Sequence, residues 1–249
     1  MWAFLENFSA LYANPTRFLA LAKYLHAPLW ASSLLVLIIG LFWVSYVPDD
    51  YQQGAAVRIM FVHVPSAWMA LFGFSFIFFA SLWALVFRHP LGFVVARAAA
   101  PVGAVFTLLA LLTGALWGQP MWGTWWVWDA RLTSVLVLFF IYLGYIALWQ
   151  VIDDIGQAAR ITSIFAMVGF VNVPIVKFSV DWWNTLHQPA SVLRLGGSAL
   201  HNDFLYPLLF MGLGFTLLFF ALTLTRTQTH LLRQRLRVRR QQAGENANV

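Results

Sequence analysis

The chain has 249 residues, of which 61% are apolar and only 10% charged, with a formal net charge of +6. A soluble domain carries about a quarter charged residues, so this composition excludes one and calls for apolar surface outside as well as inside. The sequence contains no cysteine, which removes disulfides, thiolate metal sites and thioether-linked prosthetic groups.

In chain order, Met1, Phe4, Leu5, Phe8 and Leu11 recur at helical spacing. Residues 1–13 are therefore expected to form a helix lying on a membrane surface. The segment lacks the compact apolar run and small-residue cleavage site of a removable signal. Six stretches follow that are apolar over the roughly 20 residues a bilayer requires. They lie at about 28–47, 62–87, 98–118, 132–152, 161–180 and 203–225. Lipid offers no partner to loose backbone groups, so all six are expected to be helices. Pro65 fits the first turn of the second span. Pro90 and Gly92 mark a turn between the second and third spans, and "DDIG" marks one between the fourth and fifth.

The expected fold is an all-α integral membrane protein, one polytopic domain over 1–249. Lys and Arg set its orientation. With both termini cytoplasmic, eleven of the 15 basic residues fall on the cytoplasmic side, including Arg88, Arg97, Arg160, Arg226 and the arginines of the 226–249 tail. Only Arg58, Arg131, Lys177 and Arg194 remain outside. Residues 1–27 are then cytoplasmic or interfacial. Segments 48–61, 119–131 and 181–202 face outward. The last 25 residues are basic beside a span, as expected of anchoring to anionic lipid; a docking surface for another protein is the alternative.

Two outward segments are crowded with tryptophan. "WGTWWVWDARLTS" occupies 122–134, with Trp117 just upstream, and "DWWNTLHQ" opens the third segment. Seven of the 13 tryptophans lie in or beside these two loops. An interfacial belt places one or two at each helix end, as Trp2, Trp30, Trp83 and Trp149 do on the inner side. The outer cluster is too dense for a belt alone.

Three histidines are also on the outer side: His63 at the entry to the second span, His187 after the fifth, and His201 at the start of the sixth. Taken singly, His63 and His187 read equally as interfacial polar side chains. Taken together, they are two imidazoles at one depth beside a wall of indoles. A flat, mostly apolar ligand with a central metal needs that set of parts. Haem fits it, because its iron takes two axial imidazoles and its faces stack on aromatic rings. Arg58 and Arg131 are at hand for the propionates. Zinc fits less well: it wants three or four tight ligands, and Asp129 or Asp181 beside two histidines would leave the indoles unexplained.

The stretch "WGTWWVWDARLTS" resembles the tryptophan-rich WWD signature of haem-handling proteins in cytochrome c maturation. With "DDYQQG", "APVGAVFT" and "WWNTLHQ", and with six spans and a histidine in each neighbouring outer loop, the whole chain resembles the haem exporter protein C family, CcmC. The resemblance implies non-covalent haem b with His63 and His187 as axial iron ligands. It implies haem presentation by Trp117, Trp122, Trp125, Trp126, Trp128 and Asp129, with Arg58 and Arg131 beside them. It also implies location in the bacterial inner membrane with the haem site on the periplasmic side, and delivery of haem to the chaperone CcmE. The partners implied are the ABC transporter subunits CcmA and CcmB and the small membrane protein CcmD. ATP hydrolysis belongs to a partner, since this chain has no Gly-rich phosphate loop. Asp129 reads as a loop-ordering acceptor, a chaperone contact or a local pair with Arg131. Two alternatives to haem delivery are a b-type membrane cytochrome for electron transfer and a cofactor-free permease subunit.

Overall fold

The structure, a computed structural model, describes residues 14–187, 191–192, 194 and 196–247. The surface helix expected over 1–13 lies outside them. The regular elements among the described residues are all helices, with one isolated antiparallel bridge between Asp50 and Gly54. In order the helices are α1 (Pro15–Ser45), α2 (Met60–Val86), α3 (Pro90–Trp122), α4 (Ala130–Val151), α5 (Ile155–Phe170), α6 (Asn172–Trp182) and α7 (Asn202–Ala247), with a short 3-10 turn at Ala55–Ile59 leading into α2. Six membrane-length apolar segments result, with α5 and α6 together making the fifth. The chain is thus a multi-pass membrane protein, as its composition requires.

Local chemistry explains where the helices start and stop. Asn14, Asp129 and Asp154 cap α1, α4 and α5 by accepting the backbone N–H of Thr16, Leu132 and Gln157 at 2.8, 2.7 and 2.6 Å. Pro15 and Pro90 occupy the first helical turn, where a missing N–H costs nothing. Gly123 ends α3 in the left-handed region at φ 76°, its N–H donating to the Gln119 carbonyl. The chain therefore leaves helix immediately after Trp122, and the tryptophan loop begins there. The fifth span bends at Val171, three residues before Pro174, whose ring has no N–H for the Phe170 carbonyl. Asn172 ties the bend to α4 by donating to the Ser134 carbonyl at 2.9 Å.

Three expectations shift. The turn at Pro90 and Gly92 is shorter than anticipated: α2 and α3 are joined by Phe87–His89 alone, with Arg88 at φ 50°. Gly92 lies inside α3, where a Cβ would come within 2.9 Å of the Ala80 carbonyl and the Ala84 side chain. It is there for close helix packing rather than for a turn. Pro65 sits in the second turn of α2, because the helix starts at Met60. Both end helices run further than the apolar stretches. α1 begins at Pro15, and α7 has 46 residues, about 70 Å at 1.5 Å per residue. That is more than twice the hydrocarbon core of about 30 Å, so the basic tail continues the last span as helix.

Packing sets the architecture. α2 lies against α3, and α1 lies against α7, which also touches α2 and α3. α4 packs on α3, α5 and α6, and α5 packs on α2. Phe61, Phe74, Ile77, Leu138, Tyr142, Leu208, Met211 and Phe219 are fully enclosed. Tyr142 reaches from α4 into a groove between α2 and α3, donating its hydroxyl to the Ala70 carbonyl at 2.8 Å. Gly73 and Gly103 make that groove, since a Cβ on either would fall onto the phenol. Arg235 of α7 donates to Thr16 of α1 at 2.5 Å, and His26 and Trp30 both meet Thr225 at 3.0 Å. The start of α1 and the far part of α7 are thus at one end of the bundle, as six crossings demand. Gly103→Val is expected to destabilise the protein by about 1–3 kcal/mol through overpacking against Tyr142, read as a lowered thermal midpoint in detergent. An unchanged midpoint would contradict the packing.

Candidate functional site

The tryptophan loop, the end of α3, the start of α2 and the segment after α6 meet at the end of the bundle opposite the tail. His63 is the fourth residue of α2. Its Nδ1 lies 3.0 Å from the Ala110 carbonyl and 3.1 Å from the Thr113 hydroxyl of α3. The Thr113 hydroxyl itself donates to the Leu109 carbonyl at 2.6 Å. A carbonyl acceptor requires Nδ1 to carry the proton, which leaves Nε2 with its lone pair. The ring lies over Gly114, where a Cβ would stand 2.9 Å from His63 Cε1. It meets Trp117 edge-on at 5.6 Å between centroids, and Trp117 in turn donates its indole N–H to Gln53 at 3.0 Å.

His187 comes from the loop after α6. Its Nδ1 stands 3.7 Å from Asp129 Oδ2, an ion-pair distance too long for a hydrogen bond. Its backbone N–H donates to Thr185 Oγ1 at 3.1 Å, and its ring packs edge-on against Trp122 at 5.0 Å. Burial lowers its pKa below the usual imidazole value; the Asp129 carboxylate opposes this and Arg131 adds to it. His187 is therefore neutral near pH 7, and the carboxylate beside Nδ1 favours the proton there and the lone pair on Nε2.

Asp129 joins these parts. It is buried, with Oδ1 accepting from the Leu132 N–H while Oδ2 accepts from the Thr185 hydroxyl and faces His187. Of its three readings the loop-ordering acceptor is the one these hydrogen bonds match, and the local pair with Arg131 does not form. Arg131 donates instead through Nε to Ser179 at 2.8 Å, and through a terminal nitrogen to the Lys177 carbonyl at 3.5 Å. Arg131 remains near both imidazoles electrostatically. Arg58 is engaged elsewhere, bound to Asp49 at 2.9 Å and to the Val47 carbonyl at 3.0 Å, at the end of α1.

The tryptophans divide into two sets. Trp117, Trp122 and Trp126 are half-buried, whereas Trp125 and Trp128 are 59% and 74% exposed. Trp126 and Trp128 meet edge-on at 5.4 Å. Trp182 and Trp183, from the end of α6, are also exposed. Buried polar atoms normally find partners, yet the Trp126 indole N–H and His187 Nδ1 are enclosed without a hydrogen bond. Among the described residues no three His, Asp or Glu side chains gather as a metal cage.

Gln53, Thr113, Gly114, Ser179 and Thr185 were not singled out from the sequence. Each supports a chosen residue through one hydrogen bond or one close approach, and none belongs to a motif that marks such a role. Asp129 as a helix cap did carry a signal, an Asp directly ahead of an apolar run.

The family model for "Heme exporter protein C" matches residues 8–242. Proteins named "Heme exporter protein C" are similar throughout. The one from Bradyrhizobium diazoefficiens is 59% identical over 225 residues, covering 90% of this chain and 86% of the relative. The one from Paracoccus denitrificans is 46% identical over 226 residues, covering 90% and 94%. That from Escherichia coli is 41% identical over 233 residues, covering 93% and 92%. The six-span chain with its tryptophan loop belongs to the haem exporter protein C family.

Proposed function

We infer that this chain binds haem b non-covalently at the periplasmic face of the bacterial inner membrane and delivers it to the chaperone CcmE. It does so as part of an ABC-type complex with CcmA, CcmB and CcmD, and ATP hydrolysis resides in a partner. One observation carries the reading. His63 Nδ1 donates to the Ala110 carbonyl at 3.0 Å, His187 Nδ1 lies 3.7 Å from the Asp129 carboxylate, and neither Nε2 has a hydrogen-bond partner among the described residues. Metal-ligating histidines are oriented in this way, with the second nitrogen donating to a carbonyl or carboxylate.

The donor set suits haem. Haem, when bound, would supply an iron that takes nitrogen ligands, and His63 and His187 would be the residues to hold it. Trp117 and Trp122, each already edge-on to one of those imidazoles, give apolar flanks. The unpartnered Trp126 N–H is a donor for a propionate, and Arg131 is the cation near both histidines. Arg58, tied to Asp49, is the weaker of the two propionate partners. Trp125 and Trp128 are the indoles open to a soluble chaperone domain. Orientation follows the distribution of Lys and Arg, which places the basic α7 end in the cytoplasm and the tryptophan loop in the periplasm. An electron-transfer cytochrome would use a second histidine pair at the other face. There His26 has its Nε2 on Thr225, and His230 stands among arginines.

The optical spectrum of the purified chain tests ligation. His63→Ala and His187→Ala should each lower haem occupancy or change the ligation spectrum, with His26→Gln as the unaffected control. Equal loss from all three would sink the assignment. Acid titration gives a second test. Protonating a ligand imidazole competes with iron, and His187 is already harder to protonate than a free histidine, whose pKa is about 6.5. The spectrum should hold as pH falls through that value and be lost only below it; loss beginning above it would contradict the site. Delivery is a separate matter. Changing Trp125 and Trp128 together to alanine should reduce haem transfer to the chaperone by tenfold or more while leaving the ligation spectrum in place. Undiminished transfer would remove those indoles from the handover.

A further inference from the structure

Away from the tryptophan loop, an apolar groove of about 590 Å³ opens between α1, α3 and α7. Leu37 and Leu41 of α1, Val105 and Leu109 of α3, and Phe215 and Leu222 of α7 form its walls. Val105 at 63% and Leu41 at 54% exposure leave it open to the surrounding membrane. Only one charged residue lines it, Arg226, at the end nearest the tail.

Arg226 sits in a one-signed neighbourhood. Its Nε donates to the Ala98 carbonyl of α3 at 3.1 Å, which fixes the guanidinium at the groove mouth. His230, one turn along α7, is in electrostatic reach of Arg97, Arg226 and Arg233. Arg97 lies over the Trp149 ring at 4.7 Å. Among the described residues no carboxylate pairs with any of these arginines; the ion pairs present are Asp49–Arg58, Asp129–His187 and Asp203–His201. Clustered cations at the edge of the hydrocarbon, with no anion among them, are costly unless a counter-charge arrives from outside.

We propose that this groove is a binding site for an anionic phospholipid of the leaflet beside the α7 tail, with one acyl chain in the groove and the phosphate on Arg226. The dimensions agree. From Met211 to Arg226 the α7 wall runs about 22 Å, whereas the hydrocarbon half of one leaflet is about 15 Å deep. One chain fits along the wall with its headgroup still at the arginines. The site is independent of the haem reading, since it shares no residue with the imidazoles or the indoles.

Native mass spectrometry of the full chain in detergent, with dioleoylphosphatidylglycerol or dioleoylphosphatidylcholine, tests the proposal. One phosphatidylglycerol should be retained per chain, in about fivefold preference to phosphatidylcholine. Arg226→Gln should abolish the preference, and Val105→Trp, which fills the groove from its open side, should reduce retention of both lipids. Equal retention of the two lipids by the unaltered chain would overturn the proposal, and so would indifference to Val105→Trp. The chain has no cysteine of its own, so Val105→Cys can carry a photoreactive probe in native membranes. Cross-linking to another protein in place of lipid would assign the groove to a partner helix and defeat the lipid reading.

Discussion

A single buried carboxylate holds the tryptophan end of the molecule together. Asp129 closes the tryptophan loop by capping α4, and it takes the Thr185 hydroxyl and faces His187 with its other oxygen. Three segments distant in sequence or different in structure are thereby fixed to one another. A carboxylate enclosed in a largely apolar protein is stable only when its oxygens are satisfied. Here each oxygen has a donor, and the one facing His187 also meets a ring that can offer a proton. The constraint runs both ways. The cap requires the loop to end at Asp129, and that position is what brings the carboxylate to His187.

The membrane imposes the rest. Inside the bundle no water completes a broken backbone ladder, so irregularities need protein partners. The bend between α5 and α6 has one in Asn172, which donates to α4. Many hydroxyls along the spans, such as those of Thr107, Thr162 and Thr227, return to the carbonyl four residues back. His63 takes the same kind of partner, a carbonyl of α3, with Thr113 beside it. Its seat is a helix pair kept close by Gly114 below the ring. The two candidate ligands are thus set by different means: one by rigid helix packing, the other by a carboxylate at the base of a loop.

Much of this was legible in the sequence because bilayer length and apolar runs leave few choices. Six helices, the turn at Asp153 and Asp154, and the grouping of Trp122, Asp129, His63 and His187 at one end all follow from that constraint and from the positions of the basic residues. The ends of α1 and α7 were not legible in the same way. Hydropathy marks where lipid contact stops, whereas helix continues wherever caps and pairings permit, as Pro15 with Asn14 permits for α1. A glycine two residues after a proline reads as a turn, and only the neighbouring helix reveals the packing role of Gly92. The partners of Arg58 and Arg131 were out of reach as well. Side chains of that length choose among several acceptors, and the choice depends on the path of the loops.

The unequal seating of the two imidazoles bears on how a handover station works. Under the proposed reading, a carrier must hold its cargo firmly enough to orient it and still let it go. A ligand on a helix pair resists displacement, since moving His63 means separating α2 from α3 at a close contact. A ligand on the segment after α6 is held, among the described residues, by one hydroxyl, one carboxylate and the edge of Trp122. The carboxylate stands beside His187 Nδ1 at 3.7 Å. The exposed indoles of Trp125 and Trp128 lie in the loop that Asp129 closes. A chaperone domain docking on those rings would press on the segment that Asp129 ties to His187. The same carboxylate that would orient the loop-borne ligand would then be the route by which a partner loosens it, and His63 would keep the cargo in register until transfer is complete.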